Sequence, residues 1–171
     1  MTRRRSTLNR VGAAQGDVEI ADGRDEYPAN RLVGVRRGKA SAEIARALQI
    51  RAGEAVITLR RVLEYEGRPA VLDEIVVPAL LFKGLDRRKV ERYRGSMYGL
   101  FETQFGVRIV RAREKLSAVA ADPLRAALLR VAPGTPLLAV ERVTYTFGDK
   151  PVEWRWGLCS TRNHHYLNDL S

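Results

Sequence analysis

An internal repeat with an offset of 81 residues constrains this chain more than any other feature of its sequence. With Gly53 laid on Gly134, Leu48 meets Leu129, Ile50 meets Val131, and Val56-Ile57 meets Leu137-Leu138. Arg61-Val62 then falls on Arg142-Val143 and Gly67 on Gly148, and one extra residue in the second turn brings Pro69 onto Pro151. Each copy reads as helix, tight turn, strand, turn, strand. The first predicted helix runs from Ser41, a good N-cap, to Leu48, with Ile44, Ala45 and Leu48 on one face. The second opens on Asp122-Pro123, a cap residue followed by a proline whose missing N–H costs nothing there. Both stop before a glycine turn and lead into strands over Val56–Tyr65 and Leu137–Phe147, which Glu66-Gly67 and Gly148-Asp149 turn back into a second strand. Two hairpins and two helices related in this way predict an α+β fold, one antiparallel sheet covered on one face.

Between the copies lies a middle helix–strand unit. Ser96 to Gln104 has Met97, Leu100 and Phe101 at helical spacing and Gly106 as a stop, and Val107 to Ala120 reads as a long strand. Arg87 to Arg94 is polar and basic, an exposed loop or a short helix. Residues 1–28 show no periodicity and few large apolar groups, so a flexible N-terminal segment is expected ahead of one folded domain over 29–171.

Composition narrows the class. No apolar run approaches the ~20 residues of a membrane-spanning helix, and the basic start Met1–Arg5 is not followed by the hydrophobic stretch of a secretory signal. A single cysteine, Cys159, excludes an intrachain disulfide and fits a reducing compartment, so a cytoplasmic protein is expected. The net charge of +10 raises nucleic-acid binding, with Arg3-Arg4-Arg5 and the 87–94 segment as its candidates. The 25 arginines are spread along the sequence, however, and a solvated basic surface explains the charge as well.

Alternation along the first repeat's strand puts Ile57, Leu59, Leu63 and Tyr65 on one face, and Arg61 shares it. An arginine among apolar neighbours must find carbonyls, a carboxylate or an anionic ligand, because an unpaired buried charge is costly. Asp73, in phase with Val71, Ile75 and Val77 on the returning strand, is the internal alternative to a ligand. Arg142, the repeat mate of Arg61, is in phase with Leu138 and Val140; it is a second ligand contact or an ion-pair partner of Glu114 or Glu153. Trp154 and Trp156 share a strand face with Val152 and Leu158 and read as core or dimer packing rather than a stacking platform. Adjacent His164 and His165 point opposite ways in a strand and cannot chelate one metal. No Cys/His/carboxylate cluster has metal-site spacing, and phosphate loops and nucleophile elbows are absent, so neither metal nor cofactor is expected.

The run Arg61-Val62-Leu63-Glu64-Tyr65-Glu66-Gly67-Arg68-Pro69 resembles the R-x-R-x-x-x-G-x-P hairpin of the UTRA domain, the effector-binding domain of HutC-type GntR-family regulators. Ser96-Met97-Tyr98-Gly99-Leu100, Gln104-Phe105-Gly106, Ala118-Val119-Ala120-Ala121, Gly134-Thr135-Pro136-Leu137-Leu138 and Pro151-Val152-Glu153 follow in the order that family uses. The resemblance covers about residues 30–168. It implies a chorismate-lyase-like fold, a homodimer, and a small, often anionic metabolite that alters DNA affinity. It also implies ligand-binding roles for Arg61, Asp73, Ser96, Tyr98 and Glu153. Leu63 stands in place of the second arginine of the hairpin and Cys159 in place of a tyrosine common in sugar-phosphate sensors. Arg155, two residues past Glu153 on the same face and the repeat mate of Asp73, compensates. Together these changes point to a carboxylate or other singly anionic effector rather than a phosphosugar.

Such regulators read DNA through a winged helix-turn-helix of roughly 60 residues or more. About 30 residues precede the first matched strand here and do not read as helices. The DNA-reading half is therefore not expected in this chain, whether it is a free-standing sensor or part of a longer repressor. The same fold resemblance extends to chorismate lyase, and an elimination releasing pyruvate, with Arg61, Arg142 and Glu153 as its groups, is the enzymatic alternative. Fold analogy alone does not establish that chemistry.

Overall fold

The computed structural model describes residues 17–20 and 28–167. In chain order the elements are β1 (Asp17–Ile20), β2 (Ala29–Lys39), α1 (Ala42–Leu48), β3 (Ala55–Tyr65), β4 (Arg68–Pro78), α2 (Arg87–Arg92), α3 (Met97–Phe105), β5 (Arg111–Ala120), α4 (Pro123–Leu129), β6 (Pro136–Thr146), β7 (Lys150–Cys159) and β8 (His164–Leu167). β1 falls inside the segment expected to be flexible and pairs antiparallel with β8. Residues 1–16, Arg3-Arg4-Arg5 included, and 21–27 lie outside the described residues.

Six strands form one antiparallel sheet in the order β2-β3-β4-β7-β6-β5. The repeat is visible in every part of it, and it is larger than the sequence suggested, because β2 and β5 also correspond. α1 and α4 are capped by Ser41 and Asp122, and both end on a left-handed residue, Gln49 (φ 51°) and Arg130 (φ 52°). The turns that follow are closed alike: Ala40 N–H donates to Glu54 O and Gly53 N–H to Ala40 O, while Ala121 N–H donates to Thr135 O and Gly134 N–H to Ala121 O. Even the register shifts agree, at Leu63/Glu64 in one hairpin and Thr144/Tyr145 in the other. A pseudo-twofold axis therefore runs between β4 and β7.

α1 and α4 lie on one face of the sheet. α1 closes over Val56, Val76, Val143 and Trp154, and α4 over Val62, Leu72, Leu137 and Leu158. The opposite face is not left open as a two-hairpin picture predicts. β3 and β4 are apolar in both phases, and their second stripe, Ile57, Leu59, Ile75 and Val77, is covered by Phe82, Val90, Leu100 and Phe101 from the α2–α3 segment. The strand expected from Val107 begins only at Arg111, since Val107 and Ile109 turn into this second core. Val152 departs from expectation in the same way: next to the register shift it joins the α3 side, away from Trp154.

Candidate ligand-binding site

The α3-covered face carries a row of charged side chains across the middle of the sheet. Register places Arg61 beside Asp73 and Arg142 beside Arg155 and Glu114, with Asp73 opposite Gly157 and Ile75 opposite Arg155. The repeat explains the row. Arg61 and Arg142 are mates, Asp73 and Arg155 are mates, and the pseudo-twofold brings the second pair together at the sheet's centre. One copy has an acid where the other has a base, so the two central residues attract rather than repel.

All three arginines have carboxylates. Arg61 donates from Nε and Nη2 to the same Asp73 oxygen, at 3.0 and 2.8 Å. Arg155 donates from Nε to Glu153 Oε1 at 2.5 Å, and its Nη1 stands 3.5 Å from Asp73 Oδ2. Arg142 donates from Nε to Glu114, which also accepts from Tyr166. Glu153 is fully buried, and Thr144 Oγ1 donates to its second oxygen at 3.1 Å. Burial opposes the charge on Asp73, but the positive fields of Arg61 and Arg155 outweigh it and hold the carboxyl below its usual value. Three buried cations thus face three carboxylates, which is how such a cluster avoids the penalty of a lone buried charge.

α3 roofs this row because its own sequence places it there. Ser96 caps the helix by accepting from Gly99 N–H at 3.0 Å, Gly106 ends it with a left-handed turn, and Met97, Leu100 and Phe101 fix its inner face. That geometry lowers Tyr98 onto the charges. Arg142 Nη1 donates to the Tyr98 hydroxyl at 3.3 Å, and the Arg155 guanidinium carbon lies 5.2 Å from the ring centroid. Burial raises the phenol's pKa, so it keeps its proton.

Two donors remain unused. Arg155 Nη2 is buried without a hydrogen-bond partner among the described residues. The Tyr98 hydroxyl accepts from Arg142, but its own proton has no acceptor among the described residues. A buried guanidinium nitrogen left without an acceptor costs free energy unless something fills the gap. The arrangement is suited to receive one oxygen-bearing group between the sheet and α3.

Of the residues singled out in the sequence, the fold gathers Arg61, Asp73, Tyr98, Arg142, Glu153 and Arg155 into one cluster. Ser96 stands apart at the helix cap, its oxygen engaged by Gly99. Sequence reasoning named Glu114 only as an ion-pair partner and missed Thr144 and Tyr166 altogether; alternation with Arg142 was the available signal for Thr144. Cys159 lies on the same face, buried, with burial and the negative charge of Asp73 pushing its thiol up to about 11. Among the described residues, no group of three or more His, Cys, Asp or Glu side chains could hold a metal ion. A groove of about 400 Å³ lies on the opposite face beside α4, floored by Leu72, Leu128, Trp156 and Leu158. Its rim charges pair with each other, Arg60 with Glu74 and Arg125 with Asp122, so it offers space without an unused buried donor.

The comparisons with known proteins agree with this architecture. The family model of the UTRA domain matches residues 23–165. The chain superposes on the ligand-binding domain of a protein assigned to the GntR family of transcriptional regulators in Bordetella bronchiseptica with a TM-score of 0.87, at 45% identity, covering 94% of this chain and 100% of that one. It superposes on PhnF from Mycobacterium smegmatis with a TM-score of 0.77, at 25% identity, covering 84% of this chain and 63% of that one. Over 58 residues it is 41% identical to the HTH-type transcriptional regulator Rv0792c of Mycobacterium tuberculosis, a stretch that spans 34% of this chain and 22% of that protein.

Proposed function

Because the chain belongs to the UTRA domain family, a family of regulatory ligand-binding domains, we propose that it senses a small effector for a GntR-family, HutC-type transcription regulator. The effector is received between α3 and the charged row, and its binding alters the DNA affinity of a homodimer whose DNA contacts come from a separate winged helix-turn-helix. The observation that carries this reading is the buried Nη2 of Arg155, without a hydrogen-bond partner among the described residues and lying next to the Tyr98 ring.

The same observation favours a singly anionic effector, a carboxylate in particular. Arg61 and Arg142 are already engaged by Asp73 and Glu114, and Leu63 supplies no further cation. A phosphate dianion would need more unpaired positive charge than this cluster holds. One carboxylate oxygen accepts from Arg155 Nη2, a charge-assisted hydrogen bond, and the other from the Tyr98 hydroxyl. For regulation, the effector must bind one dimer arrangement better than the other, since tight but equal binding shifts nothing.

The test is a thermal-shift screen of matched carboxylates and sugar phosphates. Stabilisation by carboxylates, lost in Arg155→Gln, supports the reading; a response to sugar phosphates alone sinks the proposed ligand class. Pyruvate released from chorismate by the purified chain would replace the sensor reading with the lyase one.

A further inference from the structure

The arginines look evenly spread in the sequence, but the fold collects their excess charge on one side. Residues 28–39 hold Arg31, Arg36, Arg37 and Lys39 and no acid. Residues 79–95 hold six cations against Asp86 and Glu91. Eight of the chain's ten excess positive charges therefore sit in two short segments, while residues 1–27 are balanced, five against five. The two segments touch. Arg87 donates from Nη2 to Val33 O at 3.1 Å while its Nη1 pairs with Glu91, and Val90 from α2 shares a core with Leu32 and Val35 of β2. β2 is an edge strand, so nothing pairs beyond it among the described residues.

Arg36, Arg37, Lys39, Lys83, Arg88, Lys89, Arg92 and Arg94 are all exposed, and none has a carboxylate partner among the described residues. Elsewhere Arg51, Arg60, Arg108, Arg111, Lys115 and Arg125 pair with carboxylates, and the exposed cations that do not, Arg46, Arg68, Arg113, Arg130, Lys150 and Arg162, stand singly along the chain. A surface assembled for solubility alone would intersperse the two signs. Keeping eight like charges within a strand end, a six-residue helix and the residues flanking that helix costs self-repulsion that a polyanion would relieve.

We infer that the β2–α2 face binds the phosphate backbone of duplex DNA, without reading its sequence. Five of the eight groups are guanidiniums, whose planar fork suits phosphate oxygens. α2 spans about 9 Å and the Arg36–Lys39 end of β2 about 10 Å, so the face covers several phosphates of a duplex that carries one charge per about 1.7 Å of axis. The choice of DNA over another polyanion rests on the proposed regulatory role, which already brings the domain to a duplex; the basic face itself does not depend on the effector site.

The experiment is fluorescence anisotropy of the whole chain on a labelled duplex of about 20 base pairs and arbitrary sequence, titrated at several salt concentrations with no effector present. Wild type should bind at about 50 mM salt, with log K falling against log salt at a slope of about −4, and with little dependence on sequence. Arg88→Glu/Lys89→Glu/Arg92→Glu should bind at least tenfold more weakly and flatten the slope by about 2.7. Arg36→Gln/Arg37→Gln/Lys39→Gln, on the other element, should weaken binding in the same direction and guards against a folding defect in α2. Arg113→Glu/Lys150→Glu/Arg162→Glu, the same change in net charge placed elsewhere, should bind like wild type. The inference is overturned by absence of binding at low salt, by equal loss in the displaced-charge control, or by tighter binding to vesicles containing about 30 mol% phosphatidylserine than to the duplex. Effector binding measured on the same variants should be unchanged, so failure here leaves the sensor reading standing, and the reverse also holds.

Discussion

Replacing Arg61 with methionine removes the charge while keeping a flexible apolar stem of similar reach. The loss falls on Asp73, which is 4% exposed and takes both of its short bonds from Arg61. Its remaining neighbour is Arg155 Nη1 at 3.5 Å, too long for a good hydrogen bond and attached to a guanidinium that Glu153 already holds at 2.5 Å. Stranding one partner of a buried ion pair costs about 3–5 kcal/mol, and the residual field of Arg155 puts this case near 3. For a domain of this size that is a fall of roughly 6–12 °C in melting temperature at neutral pH. In wild type the Asp73 carboxyl is held below 3.8, so its stabilising contribution is complete above that pH and lost as pH falls through the lower native value. In Arg61→Met burial dominates and the Asp73 pKa rises, so the variant takes up a proton in mild acid and the gap to wild type narrows from pH 7 to pH 4. The double variant Arg61→Met/Asp73→Asn, with no charge to strand, should recover at least half of the lost stability. Denaturation followed by circular dichroism at both pH values measures all of this. A single variant within about 0.5 kcal/mol of wild type, or a double variant no better than the single, refutes the account of the charged row.

Cys159 should be nearly inert in the folded protein: with its thiol near 11, only about one molecule in a thousand is thiolate at pH 8, and alkylation should proceed at least tenfold faster once the chain is unfolded. Gly157→Ala should lose about 1–3 kcal/mol in urea denaturation, because the new methyl would sit 3.1 Å from Oδ1 of Asp73, a carboxylate that Arg61 holds through its other oxygen. Leu48→Ala and Leu129→Ala, repeat mates at 2% and 1% exposure, should each cost about 3 kcal/mol and differ by less than about 1, as equivalent positions in a pseudo-symmetric core.

The repeat was legible because its signals are local: a capping residue, an apolar helix face, a glycine turn and a strand of alternating phase recur at one offset. What it concealed was β2 as the mate of β5, because both are exposed edge strands, rich in arginine and lacking a buried stripe. The second covered face was hidden for a different reason. β3 and β4 bury both phases, and a strand apolar in both phases shows no alternation from which to infer what lies above it. The charged row divides in the same way. Phase alone put Arg61 with Asp73 and Arg155 with Glu153, since alternation reports which side chains share a face. Tyr98 entered through the family resemblance, as no periodicity told that α3 would settle over β6 and β7. The unused donor of Arg155 and the gathering of charge on β2 and α2 depend on which elements meet in space, which spacing along the chain does not encode.

The central claim is that Arg155 and Tyr98 together receive the effector, and arginine side-chain NMR tests it most directly. The guanidinium resonances of the isotope-labelled chain, assigned through Arg61→Met and Arg155→Gln, would be followed as a carboxylate from the stabilising set is titrated in. The account predicts that the Arg155 Nη resonances shift and sharpen as the buried nitrogen gains an acceptor, together with the Tyr98 ring signals, while the Arg88 and Arg92 resonances stay in place. Shifts confined to Arg60, Arg125 and Trp156 beside α4, with Arg155 unmoved, would contradict it.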